Sequence, residues 1–207
     1  MKELLAVLRS LGLLSLFFFC ACTSQPAQPE KPQPKPPEFI TGRAGFQKVY
    51  VAAHGWARDA QPYRLESMNT ADSNGKDGKS AVWRGSFASA SQGAVKSYTW
   101  SGEDGPDVPS RGINPGTQDN YSASNSSTQV FDINFLKLDS DKALETAKKH
   151  GGDKILAKDP DAPITYACDW SRATSELIWH VIFGDPQYPK LRVAVNASTG
   201  DFIRVEK

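Results

Sequence analysis

The chain alternates between helical and strand-like spacing of its hydrophobic residues. From Phe46 to Ala57 the apolar residues follow the i, i+3, i+4, i+7 spacing of a helix with one buried face. A second helix is predicted from Ser140, and Gly151 and Gly152 are expected to end it. Elsewhere, short apolar segments with period-two alternation predict antiparallel strands. These strands are 63–67, 81–87, 94–100, 130–138, 164–170, 177–183, 191–196 and 202–205.

Two parts of the chain share residues at one constant spacing. Three pairs of residues are each 96 positions apart: His54 and His150, Trp83 and Trp179, and Phe87 and Phe183. A fixed period of this kind indicates a duplicated structural unit. We therefore expect an α+β fold of two fused repeats, each a helix packed on a small antiparallel β-sheet, at residues 39–100 and 139–207. Residues 101–138 are predicted to be a loop insertion, rich in Gly, Ser, Asn and Asp, followed by a connecting strand.

The N-terminus resembles a bacterial lipoprotein signal. Lys2 and Arg9 supply a positive region before an apolar run, Leu11–Phe19, that is too short to span a bilayer as an ordinary membrane helix. The small residue Ala21 precedes Cys22, which fits an acylated cysteine. We expect removal of residues 1–21 and attachment of palmitate and other acyl chains at Cys22. The folded part would then lie outside the cytoplasm, anchored to a membrane of the bacterial cell envelope. An ordinary cleaved secretory signal is the alternative.

The segment after Cys22 is predicted to be a spacer. Residues 22–38 are rich in proline and lack large apolar side chains, which favours extended conformations. If Cys22 is acylated, Cys168 is the remaining cysteine, because Cys20 leaves with the signal peptide. Period-two alternation places Cys168 on the same strand face as Tyr166 and Trp170, so we expect it to be a buried small hydrophobic residue.

Composition and motifs give no support for catalysis, cofactor binding or nucleic-acid binding. The net charge is +1, and no basic helix or zinc-finger spacing is present in the sequence. His54 and His150 lack a second ligand at helical spacing, and segment 72–78 lacks the acidic spacing of an EF-hand. Three loop carboxylates could still form an acid/base pair in an unrecognised hydrolase: Asp104, Asp107 and Asp119.

Aromatic residues supply the candidate binding positions. Trp83 and Trp179 occupy matching positions on inward strand faces and are expected to be core residues. Trp100 lies beside the long loop, on the strand face opposite to Val95, and of the five tryptophans it is the one most expected to be exposed. Trp100 and Tyr121 are therefore the predicted binding residues.

The C-terminal third resembles PepSY-type domains. The resemblance lies in Trp179–Phe183, in Leu191–Ile203 with its Thr-Gly turn, and in the preceding helix Asp141–Gly151. It covers residues 139–207 and extends loosely to 43–100. It implies a helix on a small antiparallel sheet and a role in inhibiting or regulating peptidases, and it brings no catalytic residues.

Taken together, these observations predict a non-catalytic envelope lipoprotein. It would bind or regulate a partner protein, for example a peptidase, through a sheet edge and the 101–128 loop. The alternative is a lipoprotein that binds a small molecule or glycan on an aromatic surface.

Overall fold

The computed structural model describes residues 35–206, which form a mixed α/β fold dominated by one antiparallel sheet. The predicted site Cys22, the signal peptide and most of the proline-rich segment lie outside these residues. The helices and strands are β1 (Ile40–Thr41), α1 (Gly42–Trp56), β2 (Gln61–Met68), β3 (Lys79–Ser80), β4 (Val82–Ser89), β5 (Ala94–Ser101), β6 (Gly112–Asn120), α2 (Ser140–Ala147), α3 (Asp153–Lys158), β7 (Ile164–Ser171), β8 (Glu176–Gly184), β9 (Pro189–Asn196) and β10 (Phe202–Glu206).

The large sheet has eight strands in the order β10-β9-β8-β7-β2-β4-β5-β6. Every neighbouring pair is antiparallel. Strands β2 and β7, which lie far apart in the sequence, pair at its centre through Arg64–Asp169, Leu65–Cys168 and Glu66–Ala167. β1 and β3 form a separate two-stranded ribbon. Within the described part of the chain no helix is long and apolar enough to cross a membrane.

The helices pack on one face of the large sheet around two tryptophans. Trp83 on β4 and Trp179 on β8 are fully buried, and their rings meet edge to face with centroids 6.4 Å apart. The indole N–H of Trp83 donates to the carbonyl oxygen of Ile40 at 2.9 Å, and that of Trp179 donates to the carbonyl oxygen of Leu138 at 3.0 Å. Each accepting carbonyl lies two residues before a helix begins. The two indoles therefore fix the start of α1 and of α2, and both are core residues as predicted.

The N-termini of α1 and α2 contact each other directly. The hydroxyl of Thr41 and the backbone N–H of Arg43 donate to the two carboxylate oxygens of Asp139, at 2.8 and 2.9 Å. The backbone N–H of Gly42 donates to the Ser140 hydroxyl at 2.7 Å. N–H groups at the start of a helix have no partner inside that helix, so the contacts of Gly42 and Arg43 satisfy two such donors of α1 with side chains of the other helix start.

Two segments between β5 and α2 differ from the sequence prediction. Residues 112–120, expected to be loop, form the edge strand β6, because they pair along β5 despite Pro115 and Gly116. Proline is tolerated at a sheet edge, where one side of the strand needs no partner. Residues 130–138, expected to be a strand, form a 3-10 turn at Ile133–Phe135. The Asp132 side chain caps this turn by accepting from the backbone N–H of Asn134.

The other predicted strands and the first helix are confirmed, and two boundaries shift. Gly151 adopts a left-handed φ of +118° as expected of a helix end, but the helical path resumes as α3 two residues later. The end of the proline-rich segment is also part of the fold. Glu38 N–H donates to the Gly102 carbonyl, and Arg111 donates to the carbonyls of Lys35 and Pro36.

Candidate functional site

The sheet face opposite the helices carries a row of charged side chains. Residues of alternate parity to Leu65, Trp83 and Trp179 lie on this face, which we call the open face. The charged residues of this row come from six strands: Arg64 and Glu66 (β2), Arg84 (β4), Asp169 (β7), His180 (β8), Arg192 (β9), and Arg204 and Glu206 (β10).

Consecutive ion pairs link most of this row. Arg84 Nε donates to Glu66 Oε1 at 2.7 Å, and Arg64 donates to Glu66 at 2.9 Å and to Asp169 at 2.7 Å. Burial alone would raise the pKa of Glu66, but the hydrogen bonds from Arg64 and Arg84 lower it overall. At the far end Arg204 Nη2 donates to Glu206 at 2.7 Å.

His180 occupies the centre of the row between two carboxylates. Its Nδ1 lies 2.6 Å from Glu206 and its Nε2 lies 3.3 Å from Asp169. Burial would lower the pKa of His180, but hydrogen bonds to Asp169 and Glu206 outweigh it and raise the pKa to about 9. At neutral pH the ring is therefore a cation with both nitrogens donating, so it has no lone pair with which to act as a general base.

Small residues allow these long side chains to meet. Ala194 pairs with both His180 and Arg204, so it lies on the strand between His180 and the end of β10. Ala167 pairs with both His180 and Glu66. Both alanines are buried, and neither projects beyond Cβ. His180 can therefore reach over β9 to Glu206, a contact that a larger residue at Ala194 would obstruct.

A shallow pocket of about 180 Å³ opens on this face, lined by Arg64, Ala167, Asp169, His180, Ile182 and Arg192. Three of the lining groups are cations and one is a carboxylate. Arg64 is engaged by Glu66 and Asp169, whereas the buried Nε of Arg192 has no hydrogen-bond partner among residues 35–206. The pocket thus offers positive charge and an unused donor, a combination that suits a small anionic group such as a carboxylate.

The predicted exposure of Trp100 is wrong. Trp100 is 5% exposed and pairs with Trp83 on the helix-covered face, where Lys48 Nζ lies 5.4 Å from its ring centroid. Trp100 and Val95 do lie on opposite faces of β5, as the alternation predicted, but it is Val95 that lies on the open face. Tyr121 is half-buried at the end of β6, and its backbone N–H donates to the Gly93 carbonyl. The fold does not bring Trp100 and Tyr121 together with the open-face pocket.

The remaining candidates are also separated from the open face. His54 contacts Tyr50, and His150 stacks on Phe202 with ring centroids 3.8 Å apart. Cys168 is buried as predicted, and burial raises its pKa well above the ordinary value. No group of three or more His, Cys, Asp or Glu side chains in residues 35–206 is arranged to hold a metal ion.

Two of the loop carboxylates that were candidates for an acid/base pair lie on different parts of the chain. Asp104 pairs with Arg111, whose backbone N–H and Nε both lie 3.1 Å from its carboxylate, while Asp119 lies on β6.

Sequence reasoning missed Arg64, Asp169 and Arg192. The available signal was the period-two alternation along each strand, which already placed His180 on the face opposite to Trp179. This alternation does not say which strands are neighbours in the sheet.

Comparison with protein-family models, with curated proteins and with solved structures finds no match to this chain.

Proposed function

We propose that this chain is a non-catalytic lipoprotein of the bacterial envelope that binds a partner protein on the open face of its sheet. The partner contributes a carboxylate, from an acidic side chain or a chain end, to the pocket beside Arg192. A peptidase is the class of partner that the PepSY-like sequence features favour. The observation that carries the proposal is the cationic pocket with an unused arginine donor.

The size of the pocket supports a protein partner over a free small molecule. Sites that enclose a whole small molecule usually have volumes of about 300–1,000 Å³. The open-face pocket, at about 180 Å³, is large enough for one side chain. The aromatic surface required by the alternative of glycan binding has less support, because Trp83, Trp100 and Trp179 are all buried.

The arrangement of charged groups supports a binding role over catalysis. His180 is held as a cation by two carboxylates, and the carboxylates in turn pair with arginines. Cys168, a nucleophilic side chain next to Asp169 in the sequence, lies on the opposite face of β7 and is buried. Groups locked in complementary pairs can recognise a charged partner but have little freedom to transfer protons.

The strand order supports the proposed duplication into two PepSY-like units. With β2 and β7 at the centre, the sheet continues outward as β4-β5-β6 on one side and as β8-β9-β10 on the other. Helical structure precedes β2 in one half and β7 in the other. In each half a buried tryptophan on the strand next to the central one, β4 or β8, donates to the chain just before the first helix of that half. We propose that these halves are repeat units that share one continuous sheet.

Site-specific photo-crosslinking in the bacterial envelope tests the function. A photoreactive residue at Arg204, which is exposed on β10 and pairs with Ala194 next to the pocket, should give a discrete cross-linked protein. The same residue at Val51, which is 73% exposed on the solvent side of α1, should not. Equal cross-linking from both positions, or from neither, would remove the proposal. If the captured partner is a peptidase, the purified chain should slow its turnover.

Replacement of Arg192 by glutamine tests the carboxylate pocket within that complex. We expect the affinity for the captured partner to fall about tenfold, which corresponds to about 1.4 kcal/mol for one lost charged contact. Lys154→Gln removes an equal charge from an exposed position on α3 and serves as the matched control. An unchanged affinity for Arg192→Gln, measured by surface plasmon resonance, would show that the pocket is not the contact.

A further inference from the structure

A second pocket, about 440 Å³ in volume, lies between the loop after β2 and the loop after β5. Its lining includes four acidic residues, Asp72, Glu103, Asp104 and Asp107, and no lysine or arginine. Of the four, Asp104 is engaged by Arg111. Asp72 and Asp107 are exposed at the rim. The pocket is therefore negatively charged and is distinct from the cationic pocket on the open face.

Glu103 is the unusual member of this pocket. It is 4% exposed, and both of its carboxylate oxygens are buried without a hydrogen-bond partner among residues 35–206. The hydroxyl of Thr70, on the same lining, is likewise buried and without a partner in the described chain. A buried carboxylate without a partner is costly, and native proteins ordinarily pair such groups.

The backbone around Glu103 is held firmly, so the position of its side chain is set by the fold. The Ser101 hydroxyl donates to the Glu103 carbonyl at 2.8 Å and accepts from the Glu103 N–H at 3.3 Å. Gly102 N–H donates to the Ala81 carbonyl at 2.7 Å, and its own carbonyl accepts from Glu38 at 3.0 Å. A side chain at Gly102 would lie 2.2 Å from the Glu38 carbonyl oxygen. The carboxylate thus cannot reach a distant partner by a shift of its loop.

The rest of the lining indicates what kind of cation would fit. Ala71, Pro106 and Val108 supply apolar surface, and the volume far exceeds that of a single ion. Moreover, the acidic groups of the described chain do not converge in the way that a metal requires. An elongated organic cation would place its apolar part against Pro106 and Val108 and its charge on Glu103.

We propose that this pocket binds an alkylammonium or guanidinium group carried on a short apolar chain, with Glu103 as its counter-ion and the Thr70 hydroxyl as an additional acceptor. A free amine and a lysine or arginine side chain share this chemistry. The proposal concerns a different pocket from the open face, so it stands or fails independently of the proposed function.

Isothermal titration calorimetry with the full chain tests the proposal. The probes are agmatine and cadaverine as free cations, an acetylated lysine-containing tripeptide amide as the side-chain form, and 1-pentanol as a neutral control. We expect at least one cationic probe to bind and the alcohol not to bind. If the tripeptide alone binds, the source is a peptide side chain, and if the free amines bind, the source is a small molecule. Binding of Mg²⁺ or Ca²⁺ with no binding of any amine would overturn the proposal, as would no binding at all.

The variant Glu103→Gln links any binding to this carboxylate. We expect it to weaken the cationic probe at least tenfold, whereas Asp153→Asn, which neutralises an exposed carboxylate on α3, should leave the affinity unchanged. Without ligand, Glu103→Gln should melt at a higher temperature than the wild type, because it removes a buried charge that lacks a partner. Equal probe affinity in wild type and Glu103→Gln, or a lower melting temperature of the ligand-free variant, would overturn the assignment.

Discussion

Gly45→Ala is expected to destabilise the protein by about 2–3 kcal/mol, because the added methyl group overpacks the contact between α1 and the sheet. A Cβ atom at Gly45 would lie 2.5 Å from Trp83 Cγ and 2.6 Å from Trp83 Cδ1. Trp83 cannot retreat, since it is fully buried and its indole N–H is bonded to the Ile40 carbonyl. The helix itself must therefore shift and lose contacts along its buried face.

Gly55→Ala, on the same helix, provides the matched control with the opposite expected sign. A Cβ atom at Gly55 would meet nothing within 4 Å. Alanine should then stabilise the protein by up to about 1 kcal/mol through its higher helix propensity. Urea unfolding monitored by tryptophan fluorescence measures both variants. A similar shift of the midpoint in both, in either direction, would show that α1 does not sit against Trp83 as described.

The charged state of His180 is expected to make stability depend on pH in the alkaline range. An unfolded histidine titrates near a pKa of about 6.5, whereas folding raises the pKa of His180 to about 9. Below about pH 6.5 the ring is charged in both states and its ion pairs contribute fully. As pH rises from about 6.5 to about 9, the unfolded chain releases the proton first, and this contribution of about 3 kcal/mol is lost.

Comparison of the wild type with His180→Gln isolates this effect. The difference in the free energy of unfolding between the two proteins should be largest near pH 6 and should shrink by about 3 kcal/mol at pH 9.5. The arginines that face His180 keep their charge throughout this range. His150→Gln, which removes a histidine that stacks on Phe202 away from this row, is the matched control. A difference for His180→Gln that stays constant with pH would contradict the proposed charge state.

Strands were predictable from the sequence where the alternation of their own apolar and polar side chains determines the strand conformation. Alternation of apolar and polar residues marked β7, β8 and β9, because one face of each is covered by helices. The edge strand β6 was not predictable in this way. Its residues are mostly exposed and include Pro115, and its conformation comes from pairing with β5. Such pairing is a property of the neighbouring strand rather than of the segment itself.

The candidate sites were harder to predict because they depend on which strands become neighbours. Arg64 and Asp169 are 105 residues apart and meet through the pairing of β2 with β7. No local pattern specifies that pairing. Glu103 belonged to a segment predicted only as a loop, and its burial follows from the way Gly102 is fixed to Ala81 and Glu38.

The short pairing of β2 with β7 places a buried thiol at the centre of the sheet, and the reactivity of this thiol reports on opening of the core. The central strands join through few residue pairs, and one of these is Leu65 with Cys168. The Cys168 thiol is fully buried. A thiol reagent can therefore reach it only when this core opens, by separation of the two halves or by displacement of a helix, or when the whole domain unfolds. The rate at which Cys168 is alkylated, compared with the rate of global unfolding, would show whether the core opens before the domain unfolds.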